Sequence, residues 1–437
     1  MIPPLIHSFA GRLRAGVATS FDWRRVHGHL LTTMRRSAPG VHEAPVMHLA
    51  TRWFGTMRSL WPAPTSTSNR STTLDFIRGI AILLAMGWHF NNVDTGFPPL
   101  DWLLAPGRTL GWAGVDLFFV LSGFLVGGLI FKEYRATGHF RPGRFLIRRA
   151  FKIWPILYLY LALLLLAQRH PWDSFLLQTL FHVQNYADTS LDHLWSLAIE
   201  EHFYLSGALL FAAATSLRHH RRHLLIAVMA AIPVACLAMR SAALHGSYDI
   251  QDIAIETHFR IDALVCGVCA GYVHVYHPAL FERWARHKKL LLLAFIAGAT
   301  VLGLQQDNKP FTVTVGYTIA YLTGLALLMF CHGLKSLTDA GWLVRRVSTI
   351  GLYSYAMYIY QFVGMRAAES LLNKLGVAAV PAWIDLAIQY GGALAVAVVV
   401  TNCVERPMLR LRDRLFPSAT ASASIRVPEI PALYSKG

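Results

Sequence analysis

Charged side chains are scarce in this chain. Only 15% of its 437 residues are Asp, Glu, Lys or Arg, whereas 54% are hydrophobic. The apolar residues form repeated runs of about 20, separated by short basic or polar loops, which is the pattern of membrane-spanning helices. This composition argues against an ordinary soluble protein and predicts an all-α, polytopic membrane protein.

Signals for several other functions are missing as well. The first residues lack a basic region followed by an apolar run and a small-residue cleavage site, so no cleavable signal peptide is predicted. No P-loop occurs, which argues against ATP-driven transport. Cys266 and Cys269 form a CxxC in an apolar helix without a second pair or a nearby histidine set, so small buried hydrophobes are the favoured interpretation and no metal site is predicted.

Acidic residues are fewer than basic residues, 24 against 40, and the basic surplus is unevenly distributed. Lys and Arg concentrate in the N-terminal arm, in alternate loops and in the C-terminal tail. The positive-inside rule therefore predicts that both termini are cytoplasmic. Because membrane topology explains the net charge, no nucleic-acid partner is predicted.

Hydropathy predicts ten transmembrane spans and three regions of the chain. Residues 1–70 form a basic arm, expected to be mobile or to lie on the membrane surface, 71–408 the membrane domain, and 409–437 a short cytoplasmic tail. The stretch 172–186 is a candidate re-entrant or interfacial helix. The spans are roughly 74–91, 110–131, 149–167, 195–215, 223–240, 258–276, 289–305, 312–334, 349–370 and 382–403.

The first span carries two ionisable residues, Arg78 and His89, whose presence in hydrocarbon needs a reason. Eleven residues of helix separate them by ~16 Å along the axis and by only about 20° around it. They therefore share one stripe with Ile82 and Ala85, with Arg78 toward the cytoplasmic leaflet and His89 toward the outer face. One reacting centre cannot touch both unless a substrate, another side chain or a helix distortion bridges the gap.

Three further spans enter from outside and bring polar residues to a similar outer depth. If these residues converge on His89, they form an outward-facing polar site with Arg78 below it. The contributing residues are Asp116 from the second span, Trp195, Ser196, Glu200 and Glu201 from the fourth, and Arg260 and Asp262 from the sixth.

Most of these polar residues also have a structural interpretation. Arg78 can pair with Asp75 or with a lipid headgroup, and Arg260 can pair with Asp262. Ser122 lies in a GxxxG segment that permits close helix packing. Both interpretations stay open at the level of the sequence.

Seven segments occur in the order and approximate spacing of the acyltransferase 3 family of integral-membrane acyltransferases. The resemblance covers Leu74 to Pro407. It implies transfer of an acyl group, commonly acetyl from a cytoplasmic acyl-CoA, to a hydroxyl of a carbohydrate, a lipid-linked glycan or another cell-envelope acceptor. The segments are LDFIRGIAILLAMGWHF, GVDLFFVLSGFL, RRAFKIWP, HLWSLAIEEHFYL, FRIDALVCG, STIGLYSYAMYIYQ and VERP.

The family's motifs map onto individual residues of this chain. Gln361 stands where many members have a histidine, so no proton transfer is assigned there. Some members carry an extracytoplasmic hydrolase-like domain after the membrane unit, and the tail from Met408 is too short for one. The mapped residues are Arg78 and His89 in the first span, Asp116 and Ser122 in the second, and Trp195, Ser196 and Glu200 in the fourth.

Acyl transfer needs a base for the alcohol proton, stabilisation of an oxyanion and a way to bring two substrates together. His89 is the predicted general base, since a neutral imidazole is available near pH 7, with Asp116 or Glu200 orienting it. The resemblance implies acyl-CoA as the donor substrate, with no tightly bound cofactor, and the basic second loop could hold its phosphates. The predicted substrate-binding residues are Arg78, Trp195, Ser196, Glu201, Arg260 and Asp262.

A transporter or flippase of a polar lipid or sugar is the alternative, because intramembrane charges also mark transport paths. Transporters often contain inverted repeats, and no half of this chain repeats the other. The favoured prediction is an O-acyltransferase of the bacterial inner membrane, surrounded by membrane lipids. Tyr355 and Tyr358 are expected to pack in the core or to line a donor channel.

Overall fold

The computed structural model describes residues 72–90, 93–167, 171–216, 222–246, 248–332, 334, 341–374, 376 and 380–417. All belong to one unit, Thr67–Gly437. Every regular element within these ranges is a helix, with no β-strand, which confirms the all-α prediction. The predicted arm 1–70 lies outside the described residues, and so does the predicted tail beyond residue 417.

The helices are numbered here in chain order. Their bounds are α1 Thr72–Phe90, α2 Pro98–Leu110, α3 Ala113–Thr137, α4 Pro142–Ala167, α5 Leu176–Leu180, α6 Trp195–Ser216, α7 Arg222–Leu244, α8 Ile250–Ile255, α9 Thr257–Arg260, α10 Asp262–Tyr276, α11 Pro278–Arg286, α12 Lys288–Leu304, α13 Lys309–Phe311, α14 Tyr317–His332, α15 Trp342–Leu352, α16 Ser354–Lys374, α17 Ala382–Val400 and α18 Arg406–Leu415. Short 3₁₀ turns cover Trp172–Ser174 and Asp192–Leu194, and π-turns cover Thr312–Gly316 and Thr401–Glu405.

Seven helical segments of the described chain are long and apolar enough to cross a membrane, or eight if the bent pair α10–α11 is one span. The protein is therefore a multi-pass integral membrane protein. Each of the ten predicted spans is largely helical, but α10 has only 15 residues and α12 only 17, and α16 contains Arg366, Glu369 and Lys374. The count of ten and the cytoplasmic termini stay predictions.

The predicted helix at 172–186 is two short pieces. A 3₁₀ turn at Trp172–Ser174 is followed by the five residues of α5. Beyond α5 the chain turns at His182, which has a φ of 55° and is the only non-glycine residue of the described chain with a positive φ. This segment leads directly to the start of α6.

Glycines allow α3 and α10 to pack at backbone contact. A Cβ on Gly123 would overlap the carbonyl oxygen of Leu264, and a Cβ on Gly267 would overlap that of Val120. Small residues at helix crossings in membranes have this role because they let two backbones approach. The GxxxG interpretation of this part of α3 is therefore confirmed, and it fixes the two helices that carry Asp116 and Asp262.

The first helix lies at the centre of the fold. Its Gly79 and the Gly351 of α15 meet across a similarly close contact, in which a Cβ on Gly351 would overlap the carbonyl oxygen of Asp75. Ile82 and Ala85 are buried, as predicted for the stripe that they share with Arg78 and His89. The stripe thus faces protein over its middle.

Candidate active site

A cavity of about 110 Å³ lies among α1, α3, α4, α6 and α16. Most of its wall is apolar, and the polar side chains come from all five helices. They include three cations, one carboxylate and several hydroxyls, a mixture that can bind both a charged and a neutral substrate group. The polar residues on the wall are Arg78, Ser122, Arg149, Lys152, Ser196, Glu200, Tyr204, Ser354, Tyr355 and Tyr358.

Arg78 pairs with Asp75 and also reaches the cavity. Its guanidinium lies 3.2 Å from the carboxylate of Asp75, one turn earlier on α1, and the same side chain reaches the cavity wall. Arg149 of α4 lies over the ring of Tyr204, with 5.3 Å from its guanidinium carbon to the ring centroid. With Lys152, these residues make the cavity positively charged.

A chain of hydroxyl groups ends on the cavity carboxylate. Tyr204 donates a hydrogen bond of 2.8 Å to Glu200, four residues earlier on α6. The hydroxyl oxygen of Ser122 lies 2.7 Å from that of Tyr204. Because the tyrosine has one hydroxyl hydrogen and gives it to Glu200, Ser122 is the donor in the second bond. Ser122 is thus more than a small packing residue.

A second hydroxyl chain lies at the start of α6. The hydroxyl oxygens of Ser196 and Tyr358 are 2.8 Å apart, and Tyr358 donates to the backbone carbonyl of His193. Ser196 and Glu200 both reach the cavity, as predicted from their four-residue spacing. Tyr355 and Tyr358 line the cavity too. The sequence predicted either this position or packing in the core.

His89 lies at the exposed end of α1, outside the cavity wall. Its imidazole contacts the ring edge of Phe362 at a centroid distance of 5.3 Å, and the imidazole of His193 contacts the same ring at 5.0 Å. In the described chain neither Asp116 nor Glu200 pairs with His89; Asp116 pairs with Arg260, and Glu200 accepts from Tyr204.

Phe362 therefore lies between His89 and the hydroxyl chain at His193. Sequence reasoning did not select His193, although it opens the segment HLWSLAIEEHFYL that supports the family resemblance. His193 could have been selected from the sequence because it lies two residues before Trp195, a predicted site residue.

Four charged residues form a sealed cluster beside the cavity. Arg260 is 3.0 Å from Asp116, and Arg240 is 2.7 Å from Asp262. All four side chains are almost fully buried. The guanidinium carbon of Arg260 also lies 3.3 Å from the ring centroid of Tyr317. Arg260 does not pair with Asp262, which the structural interpretation had allowed, because each finds a partner on another helix.

Trp195 and Glu201 occupy intermediate positions between these regions. Trp195 faces the guanidinium of Arg260 at 5.5 Å and the edge of Phe119, a cavity residue, at 6.1 Å. Glu201 is not on the cavity wall, and Trp154 lies near its carboxylate. The described ranges hold no cluster of three His, Cys, Asp or Glu side chains that suits a metal ion.

Comparisons with known proteins agree with the sequence motifs. The family model described as an acyltransferase domain matches residues 72–402. A candidate O-acetyltransferase of Staphylococcus aureus (strain COL) is 28% identical over 323 residues, 66% of this chain and 50% of that protein.

Two more relatives are similar to the same part of the chain. A protein named as a candidate peptidoglycan O-acetyltransferase, YrhL of Bacillus subtilis (strain 168), is 24% identical over 317 residues, 66% of this chain and 48% of its own length. The O-acetyltransferase OatA of Staphylococcus aureus (strain NCTC 8325 / PS 47) is 23% identical over 318 residues, 66% of this chain and 49% of its own length.

The aligned part spans about half the length of each of these relatives. No solved structure matches the chain. The family match nevertheless extends from the first residue of α1 into the π-turn that follows α17, and it contains every residue of the cavity wall. The chain therefore belongs to the acyltransferase 3 family.

Proposed function

We propose that this protein transfers an acyl group, acetyl in the first instance, from acyl-CoA to a hydroxyl of a cell-envelope carbohydrate in the bacterial inner membrane. Membership of the acyltransferase family supports the reaction class, and the names of the relatives support acetyl as the group and a glycan as the acceptor. The observation that carries the proposal is the cationic, hydroxyl-lined cavity that begins beside Arg78.

The cavity offers the donor a path across the ~16 Å that separate Arg78 from His89 along α1. Its wall runs from Arg78 to Ser196 and Tyr358, and Tyr358 bonds to the backbone of His193, whose ring shares Phe362 with His89. A thioester that enters near Arg78 can then extend along the cavity toward His89. The pantetheine arm of the acyl-CoA, and not the two-carbon acetyl group or a long protein movement, bridges the gap in this proposal.

The cations of the cavity are the groups suited to the donor. The hydroxyl hydrogens of Ser122 and Tyr204 are used within their chain to Glu200, and that of Tyr358 is used on the His193 carbonyl. These hydroxyls have no further hydrogen to donate. The guanidinium groups of Arg78 and Arg149, with five donors each, and the ammonium of Lys152 can therefore stabilise an oxyanion or a CoA phosphate.

His89 is proposed as the general base. Its exposure lets an acceptor hydroxyl approach from the outer side. The imidazole takes the hydroxyl proton as the alcohol oxygen bonds to the thioester carbonyl carbon. Collapse of the tetrahedral oxyanion breaks the carbon–sulfur bond, and CoA thiolate leaves and takes up a proton. The ester of the acceptor and free CoA are the products.

The test is acylation by the purified full-length protein in lipid nanodiscs. Acetyl-CoA labelled in the acetyl group is supplied with soluble peptidoglycan fragments, and the mass of the fragments is measured. His89→Ala is expected to lower the rate roughly 10²–10⁴-fold, the usual contribution of general base catalysis. His245→Ala is the matched control, because His245 is also exposed and lies in the turn that follows α7.

Two outcomes would count against the proposal. A His89→Ala protein that acylates at the wild-type rate would remove His89 as the base. Wild-type protein that moves a glycan across the membrane of a proteoliposome without changing its mass would instead support the transport alternative.

A further inference from the structure

The segment between α5 and α6 holds an unusual number of unsatisfied polar atoms. Buried polar side-chain atoms are nearly always hydrogen-bonded in folded proteins. Here buried atoms without a partner occur on five residues within eight positions, and no such group occurs elsewhere in the described chain. They belong to Gln178, Thr179, His182, Gln184 and Asn185.

His182 is the most unusual of these residues. Its side chain is 8% exposed, and neither ring nitrogen has a hydrogen-bond partner. Its φ of 55° is a left-handed conformation that few non-glycine residues adopt. Burial lowers the pKa of His182 to about 4, so the ring is neutral at pH 7, with one donor and one acceptor nitrogen.

Contacts on both sides hold this segment in place. The ring of His182 stacks on that of Trp154 at a centroid distance of 6.3 Å. Asn185 donates to the hydroxyl of Thr257 at 2.8 Å, and His202 of α6 bonds to the same hydroxyl at 2.7 Å. The side chains of His182 and Asn185 are therefore positioned by α4, α6 and α9.

Glu201 brings a carboxylate to the same group. Trp154 lies near its carboxylate, and its Oε1 is buried without a hydrogen-bond partner. At the preceding position of α6, Glu200 lines the cavity. The unsatisfied group beside His182 and the cavity thus lie on either side of two consecutive glutamates.

The chemistry of the unused atoms defines their ligand. The amide oxygens of Gln184 and Asn185 and the Oε1 of Glu201 accept hydrogen bonds, whereas His182 supplies both a donor and an acceptor. No Lys or Arg of the described ranges forms an ion pair with these groups. Such a set favours a neutral ligand rich in hydroxyl donors and disfavours phosphates.

Aromatic rings next to these atoms could contact the apolar face of a sugar ring. Trp154 is 39% exposed and Tyr186 is 48% exposed. Half-exposed rings beside fixed polar groups suit a ligand that has both an apolar face and hydroxyls. The positive-inside prediction assigns the loop that carries Tyr186 to the outer side, and the contact with Trp154 places His182 against the membrane-spanning helix α4.

We propose that His182, its neighbours Gln184 and Asn185, and Glu201 with Trp154 form a carbohydrate subsite that holds the acceptor. This inference rests on the proposed acyltransferase function and identifies where its acceptor binds. The subsite holds a sugar ring against Trp154, and a hydroxyl elsewhere on the same glycan reaches His89. His182 is a binding residue in this proposal and takes no part in bond making.

The test separates acceptor binding from chemistry. His182→Gly removes the imidazole, and glycine adopts a positive φ without strain, so the segment keeps its path. With peptidoglycan fragments as the probe, the loss of one or two neutral hydrogen bonds should raise the KM for the fragment roughly five- to fifty-fold. The kcat and the KM for acetyl-CoA should stay at their wild-type values.

Two more variants make the result specific. His182→Asn keeps an amide donor and acceptor at a position where asparagine tolerates a positive φ, and it should restore part of the affinity for the fragment. His245→Gly changes an exposed histidine in the turn that follows α7 and should leave both KM values unchanged. An acceptor KM that is the same in His182→Gly and in the wild type would overturn the subsite.

Failure of the proposed function would give a different result. If the wild-type protein acetylates no fragment, binding of the fragment is measured directly by saturation-transfer NMR on the protein in nanodiscs. Binding that is lost in His182→Gly would support the subsite without the reaction. Equal binding to the variant and the wild type, or binding to neither, would contradict it.

Discussion

The cavity and the charge cluster are both polar and both lie between helices, but they differ in what their polar groups can still do. In the cluster, Asp116 pairs with Arg260 and Asp262 with Arg240, and all four side chains are sealed from solvent. In the cavity, Arg78 pairs with Asp75 and still lines an open volume. An ion pair alone therefore does not distinguish a structural charge from a functional one. The two kinds differ in whether the charged group is accessible from a cavity.

The cluster explains why charges can be present in a membrane domain without contacting a substrate. Removing two charges from water is costly, and only close pairing offsets that cost. Arg260 gains a further partner in the face of Tyr317. The contacts of Asp116 and Asp262 are with buried arginines, so we expect their first role to be in folding.

The largest expected effect comes from breaking a buried pair. Asp116→Ala leaves Arg260 charged and buried without its carboxylate, which should lower the free energy of unfolding by about 3–5 kcal/mol. The measurement is denaturant unfolding of the protein in detergent. Asp188→Ala, at an exposed loop position, should leave stability unchanged. An Asp116→Ala protein that is as stable as the wild type but inactive would place Asp116 in the site.

An intermediate effect on stability is expected at the contact between α3, which carries residues of both the cavity and the charge cluster, and α10. Gly123→Ala would press a methyl group onto the carbonyl of Leu264 and separate α3 from α10, at a cost of about 1–3 kcal/mol in stability. Gly128→Ala is the matched control on the same helix, since a Cβ there meets nothing within 4 Å. Thermal unfolding of the two variants should therefore diverge, and equal midpoints would show that the contact tolerates separation.

The smallest effect on stability is expected inside the cavity. Tyr204→Phe removes one hydroxyl and so breaks the bonds to Ser122 and Glu200. Because the cavity can admit water to these groups, stability should fall by only about 0.5–1.5 kcal/mol, while the acylation rate falls more than stability does. Tyr360→Phe is the comparison, since its hydroxyl bonds to the backbone of Ile156 outside the cavity wall.

The rates of these two tyrosine variants sharpen the comparison. Tyr360→Phe should lose a similar amount of stability and keep its acylation rate. If both variants lost activity to the same extent, the chain from Ser122 to Glu200 would have only a structural role.

Local features of the site could be predicted from helix geometry. Ser196 and Glu200 reach the cavity together because residues four apart share a face. The buried middle of the α1 stripe, at Ile82 and Ala85, follows from the same periodicity. The GxxxG segment at Gly123 predicted a close helix contact, and the contact with α10 is there.

Partner choice could not be predicted in this way. Arg260 and Asp262 are two residues apart on the chain, yet their partners are 144 and 22 residues away. A spacing of two residues points side chains to different sides of a helix, so pairing within the segment was geometrically poor. Arg240 was overlooked because it lies at the end of an apolar run, where an arginine also suits a membrane interface.

The sequence by itself determined the class of this protein. Its apolar runs predicted a multi-pass helical membrane protein, and its ordered motifs predicted the acyltransferase 3 family, because hydropathy and motif order need no knowledge of contacts. Tertiary structure alone decided which charges close on each other and which line a cavity. It also showed the unsatisfied atoms around His182, since partners and solvent access depend on how distant helices come together.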